Sequence, residues 1–301
     1  MESLCSVKLL FPSFSELRYN SYTKKQSMFK EKNVVIQLDT KTVYSFMDSL
    51  IPIKKYVQKA KGLGYSHLGM MDVDNLYGAY HFLEEAESAG LQPLLGLELS
   101  LIKAEQELHL RLLALDSQGY RNLMKVSTLK MMGQKNWEDF QHLFKGLAVI
   151  VPAFDGVADL DLGLDFYVGV FPATPQQEFG RPTLPLHTVR YFDRGDLETL
   201  QMLRAIRENA SLREIGSLPN HEFLLAPDAL AGAFKETFPE SLDNLEQLVR
   251  HVHYDINREL KLPRFNRERP AVEELRERSE AGLKKRGLRG ALYQERLDQE
   301  L

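Results

Sequence analysis

The feature that most constrains this chain is an alternation of strand-like and helix-like segments that begins at Val34 and runs to about residue 252. It opens on Val34, Val35 and Ile36, an apolar run of the kind a strand shows when both its faces are covered. Ile53, Tyr56, Val57, Ala60 and Leu63 then fall at helical spacing, and Gly62 and Gly64 mark the stop. Residues 65–71 read as a short strand and residues 76–90 as a helix closed by Gly90. Strands are expected at 93–102 and 108–115, then an amphipathic helix at 117–130 and a shorter one from Trp137 to Phe144. Short strands follow at 147–151, 165–170 and 184–189, and helices return at 195–209, about 226–234 and 240–252. Strands separated by helices argue for parallel βαβ units. Six or seven of them in this span point to an α/β barrel, closed or nearly so. An open doubly wound sheet is the alternative, but no glycine-rich phosphate loop supports it: the Gly62 and Gly64 pair ends a helix and does not open one.

With 301 residues, 44% of them apolar, the chain can bury a sizeable core. A formal charge of −4 gives no global pull toward nucleic acid or an acidic membrane. The single cysteine, Cys5, cannot close an internal disulfide, so a cytoplasmic setting is expected. No apolar run is long enough to span a bilayer, and no membrane partner is expected. Residues 1–33 lack a clean period and read as a disordered extension or a misplaced start, with Met28 the alternative start. Residues 34–262 form the barrel region. Residues 263–301 read as a linker, broken by Pro263 and Pro270, and a first helix toward a domain that is absent. From Arg258 to Arg296 there are twelve Lys or Arg against seven Glu.

Several stretches resemble the polymerase and histidinol phosphatase (PHP) domain at the N-terminus of bacterial DNA polymerase III alpha subunits. Residues 34–50, VVIQLDTKTVYSFMDSL, resemble that family's first motif, a strand ending in His-x-His and then a Tyr-Ser…Asp turn. MMDVDNLYGAYHF, at 70–82, is similar to a motif usually written Thr-Asp-His-Gly-Asn-Leu-Phe-Gly-Ala. GLQPLLGLEL, LHLRLLALDSQGYRNLMKVS, LHTVRYFDRGDLETLQMLRAIREN, LPRFN and YQERLDQEL resemble further family segments in the same order. The resemblance implies a distorted (β/α)7-type barrel followed by helices leading toward a palm. It also implies a parent DNA-directed DNA polymerase that uses a divalent metal (Mg) in that palm.

The resemblance weakens where the chemistry should be. Family members with a metal centre gather imidazoles and carboxylates at the strand ends, hold two or three divalent ions and activate water there. Here the histidines of the first motif are Gln37 and Asp39, and a third histidine position carries Lys41. The second motif's histidine is Val73, Gly169 stands where a carboxylate is expected, and Thr188 and Arg190 replace Asp and His. Asp48, Asp72, Glu98 and His109 remain, and Asp39 with Glu98 leaves room for one loosely held ion. The expectation is a vestigial pocket without catalytic or metal-ligating residues, no cofactor in this fragment, and Arg190 forking onto Glu98 or Asp39 in place of a cation. The pair His251 and His253 looks like a metal pair, but it lies late in a helical stretch, where the two side chains would point about 200° apart. Lys284, Lys285, Arg286 and Arg289 suit a solvated helix end; weak DNA contact is the other reading.

Three functions compete. The first is a non-catalytic PHP region supporting template-directed synthesis, with the rest of the alpha chain, DNA and other replisome subunits as partners. The second is a metal-dependent phosphoesterase or 3′–5′ exonuclease with a reduced site. The third is a free-standing protein- or nucleic-acid-binding module.

Overall fold

The computed structural model describes residues 36–256 and 268–301. The expectations for residues 1–33, including the start at Met28, and for the linker around Pro263 lie outside the described residues. The chain divides into two compact units, one ending at Tyr254 and one beginning at Asp255.

The first unit is a mixed α/β fold built on one curled sheet of seven strands in sequence order. They are β1 (Ile36–Gln37), β2 (His67–Val73), β3 (Gln92–Lys103), β4 (Gln106–Ala114), β5 (Leu147–Pro152), β6 (Tyr167–Val170) and β7 (Thr183–Pro185). Helices α1 (Ile53–Leu63), α2 (Ala79–Ser88) and α3 (Ser117–Met131) follow β1, β2 and β4. After β7 come α4 (Leu197–Glu208), α5 (Pro227–Lys235) and α6 (Pro239–Val249). Helix α1 buries Ile53, Tyr56, Val57 and Ala60 on one face, and stops where Gly64 turns left-handed at φ 92°. The Asp116 carboxylate caps α3 by accepting from the Gly119 N–H at 2.7 Å.

The sheet is not uniformly parallel. β4 runs antiparallel to both β3 and β5, whereas the other pairs are parallel. The cause is local. Two residues, Ala104 (φ 47°) and Glu105 (φ 66°), join β3 to β4, and positive φ at both central positions gives a tight hairpin whose twist suits antiparallel strands.

The edges of the sheet meet beyond its regular strands. Thr40 bridges Val189 in parallel, with the Lys41 N–H on the Val189 carbonyl and the Val189 N–H on the Asp39 carbonyl, both at 2.9 Å. On the other side the Met71 N–H donates to the Thr40 carbonyl, also at 2.9 Å. Residues 39–41 are thus held between β2 and the strand continuing past β7. Apolar side chains, among them Met71, Leu94, Leu113, Ile150, Leu184 and Leu186, form a buried cluster that α6 joins through Leu245 and Val249. Helix α6 ends at Val249, so His251 and His253 lie past it, and His253 bridges Asp116 in extended form.

The second unit is a helical hairpin of α7 (Ala271–Lys285) and α8 (Ala291–Glu300). Gly287 turns the chain at φ 69°, and Arg276 on α7 meets Asp298 on α8 at 2.6 Å.

Candidate functional site

Period-two alternation puts Gln37, Asp39 and Lys41 on one side of the closing segment, and all three are buried. Glu98 on β3 and Arg111 on β4 are opposite each other in the antiparallel register. Closure of the sheet brings the two groups together. Lys41 Nζ lies 2.5 Å from Asp39 Oδ1 and 2.6 Å from Glu98 Oε2. Arg111 Nε donates to Asp39 Oδ2 at 2.8 Å, and its Nη2 lies 3.3 Å from Glu98 Oε2. The Thr188 hydroxyl completes the set, donating to Asp39 Oδ2 at 2.7 Å. The Phe171 ring lies 5.6 Å from the Arg111 guanidinium carbon. Two carboxylates and two cations therefore form a closed, charge-neutral quartet spanning the closing segment, β3 and β4.

Burial alone pushes the Asp39 carboxyl up, but Arg111 and then Lys41 outweigh it and hold the group well below the usual carboxylate range. The balance at Glu98 is the same: burial raises its pKa, Lys41 and Arg111 lower it, and the cations prevail. At Arg111 burial disfavours the charge, yet Asp39 and Glu98 keep its pKa above the ordinary value.

The other expected pocket residues are spread over different tasks. Gln37 donates its amide to the His187 carbonyl at 2.8 Å and to the Asp39 carbonyl at 3.2 Å, while its Oε1 is buried with no hydrogen-bond partner. Asp72 accepts three hydrogen bonds of 2.6 Å, from the Thr42 N–H, the Thr42 hydroxyl and the Ser45 hydroxyl. Burial still leaves its pKa raised. Val73 offers no donor atom. Gly169 has no room for a ligand: a Cβ there would lie 2.3 Å from Leu186 Cδ1 and 3.1 Å from Ile150 Cγ2. His109 is not in the pocket; it is exposed, with Nδ1 2.9 Å from the Ser100 hydroxyl across the hairpin.

Arg190 requires a correction. It does not fork onto Asp39 or Glu98. It ion-pairs with Asp48, and its Nε lies 3.2 Å from Glu222 Oε2. Asp48 also takes Arg204 Nε at 2.8 Å. Burial works against the charge on Arg190, but Asp48 and Glu222 raise its pKa overall. The cation assigned to the carboxylates is instead Arg111, which the sequence reading missed. Its signal was present as the one charged side chain of the run Leu110–Leu115, two residues past His109 and so on the same side of the strand.

The residues present do not fit a divalent-metal centre. Among the described residues no group of three or more His, Cys, Asp and Glu could hold an ion. The two carboxylates that converge already share an ammonium and a guanidinium. A separate groove of about 430 Å³ lies beside them, lined by residues of the 43–48 loop with Val73, Asp74, Asn75, Tyr77, Met131 and Arg207. None of the four quartet residues lines it. Its rim exposes Phe46 and Tyr77, at 74% and 67% of their surface.

Residues 37–177 match the PHP domain family. The chain is 45% identical over 267 residues to the DNA polymerase III alpha subunit of Streptococcus pyogenes, an alignment covering 88% of this chain and 26% of that protein. It is 23% identical over 289 residues to the corresponding subunit of Halalkalibacterium halodurans, covering 83% of this chain and 26% of that one. The chain thus spans about a quarter of the length of these curated relatives. A solved amidohydrolase from Chromobacterium violaceum aligns with a TM-score of 0.35 at 11% identity, over 59% of this chain and 84% of that one.

Proposed function

Because this chain carries a PHP domain and matches the N-terminal region of bacterial DNA polymerase III alpha subunits, we propose that it is the non-catalytic PHP region of a replicative DNA polymerase. In this reading it supports template-directed synthesis carried out elsewhere in the parent protein, in the cytoplasm. The observation that carries the non-catalytic part is the closed quartet. Asp39 and Glu98 spend their charge on Lys41 and Arg111, so neither is free to bind a metal or to accept a proton from water. No helix among the described residues is long and apolar enough to cross a membrane.

The parent reaction would need a divalent metal held outside this chain. The exposed Phe46 and Tyr77, with Met131 at 55%, support contact between the groove and the rest of the alpha chain. The test is release of nucleotides from the 3′ end of labelled DNA with manganese present. The expected result is none above a no-protein control. Manganese-stimulated release abolished by Glu98→Ala would instead support the phosphoesterase or exonuclease.

Weak DNA contact by the second unit gains support from its charge arrangement. Arg269, Arg276, Arg278 and Arg296 each pair with a carboxylate of the same unit. Lys284, Lys285, Arg286 and Arg289 sit together at the hairpin corner and pair with no carboxylate among the described residues. Four adjacent free cations suit a phosphate backbone. Changing all four to Gln should weaken binding of a labelled single strand about tenfold or more, and flatten its salt dependence by about 0.7 in the log–log slope per lost contact. Unchanged affinity and slope would remove these residues from the interface.

A further inference from the structure

We propose that the exposed face of helix α1 is a docking surface for the phosphate backbone of double-stranded DNA, built from Lys54, Lys55, Lys59 and Lys61 together with Arg194. The choice of DNA as partner rests on the polymerase reading of this PHP domain. The surface itself shares no residue with the quartet or with the groove.

Helix α1 carries four lysines and no carboxylate, on a chain whose formal charge is −4. Its apolar residues Ile53, Tyr56, Val57 and Ala60 are buried. That leaves Lys54, Lys55, Gln58 and Lys61 exposed and Lys59 half-buried. Lys55 Nζ and Lys59 Nζ both lie over the buried ring of Phe192, 5.0 Å and 5.1 Å from its centre. Two like charges one helical turn apart repel, yet one ring holds both, an arrangement that an anion between them relieves. Arg194, two residues past Phe192, sits over the Phe223 ring at 5.2 Å. Lys59 has Asp193 at 2.9 Å, whereas Lys54, Lys55, Lys61 and Arg194 have no carboxylate partner among the described residues. The nearby Asp196 is engaged elsewhere, accepting from the Phe192 and Asp193 N–H groups at 3.2 Å and 3.1 Å.

The make-up of the face selects the partner. None of the exposed side chains of α1 is apolar or aromatic. A protein partner would need a buried aromatic or apolar anchor at the centre of the contact. An anionic membrane would need an apolar row to insert, and a single DNA strand would need exposed rings on which its bases stack. A duplex backbone asks only for cations on a rigid element. Lys54 and Lys61 are seven residues apart, about 10.5 Å along the helix, which matches about three phosphate steps of one strand. The ring contacts of Lys55 and Lys59 also restrict their rotamers before binding, which lowers the entropy lost on docking. Contacts of this kind position a duplex without reading its sequence.

Fluorescence anisotropy of a short labelled duplex with the whole chain tests the proposal, across about 50 to 200 mM salt. Lys54→Gln, Lys55→Gln and Lys61→Gln together should weaken binding about tenfold or more, and flatten the log–log salt slope by about 0.9 per lost contact. Circular dichroism should match wild type, since all three side chains are exposed. If the triple variant folds poorly, each single change should still flatten the slope by about 0.9. Lys125→Gln, Lys135→Gln and Lys145→Gln remove the same charge from exposed positions off α1, and should leave affinity and slope nearly unchanged. The loss at α1 should also appear when Lys284, Lys285, Arg286 and Arg289 are already Gln, which separates this face from the second unit. No duplex binding at about 50 mM salt overturns the proposal, and so does an equal loss in the control triple. A single strand, poly-glutamate or anionic vesicles competing better than the duplex at equal charge would each overturn it in favour of that partner. Failure here leaves the non-catalytic reading standing, because nucleotide release, and not binding, tests that reading.

Discussion

The Lys41 side chain is fully buried, and both carboxylates it touches would be left short of a cation if it were lost. Breaking a buried pair by removing one partner costs about 3–5 kcal/mol, because the remaining charge is stranded. Lys41→Met should therefore destabilise the barrel by about that much in urea unfolding, and adding Glu98→Gln should recover part of it. A double variant no more stable than Lys41→Met would show that Glu98 is not the stranded partner. The pH dependence follows from the lowered pKa values of Asp39 and Glu98. A carboxylate whose folded pKa lies below its unfolded one stabilises fully above the unfolded value, about 4, and loses that contribution as pH falls through the folded value. The stability gap between wild type and Glu98→Gln should thus be constant from pH 8 to about 5 and narrow below that. A gap that widens on acidification contradicts the pairing.

Among the elements, those set by local pattern were legible in the sequence. The 3.6-residue spacing of Ile53, Tyr56, Val57 and Ala60 gave α1, and the glycine that ends it does so at positive φ. The reversal at β4 was not legible, because the expected Asn-Gly or Asp-Gly turn is absent and Ala104 and Glu105 adopt positive φ instead. Replacing them with Asn-Gly should relieve that cost and stabilise the chain by about 0.5–2 kcal/mol. A lower melting temperature would mean that Ala104 or Glu105 makes contacts worth more than the turn geometry. Closure was unreadable for another reason. Thr40 and Val189 are far apart in sequence and meet at a single bridge, so no periodicity announces the pair. The site divides the same way. The family resemblance placed Gln37, Asp39 and Lys41 together, whereas the choice of Arg111 over Arg190 depended on which strands became neighbours.

At the scale of the whole first unit, the chain is fastened at its end by Tyr254. Its hydroxyl accepts from the Leu95 N–H and donates to the Pro93 carbonyl, both at 2.8 Å, binding the last residues of the unit to β3. Tyr254→Phe strands both backbone groups, and should cost about 1–3 kcal/mol and speed amide exchange at Leu95. Unaltered exchange there would show that the hydroxyl is not the fastening. The quartet bears on which substitutions such a barrel can tolerate. Lys41 and Arg111 are committed to the two carboxylates, and at Gly169 Leu186 and Ile150 fill the space that any larger side chain would need. A first step at Lys41 or Arg111 strands buried charge, and one at Gly169 forces a clash, each a large fraction of the about 5–15 kcal/mol that holds a typical domain folded. Single replacements here are therefore resisted one at a time, and only changes that keep the charges balanced and the space filled leave the barrel as stable as before.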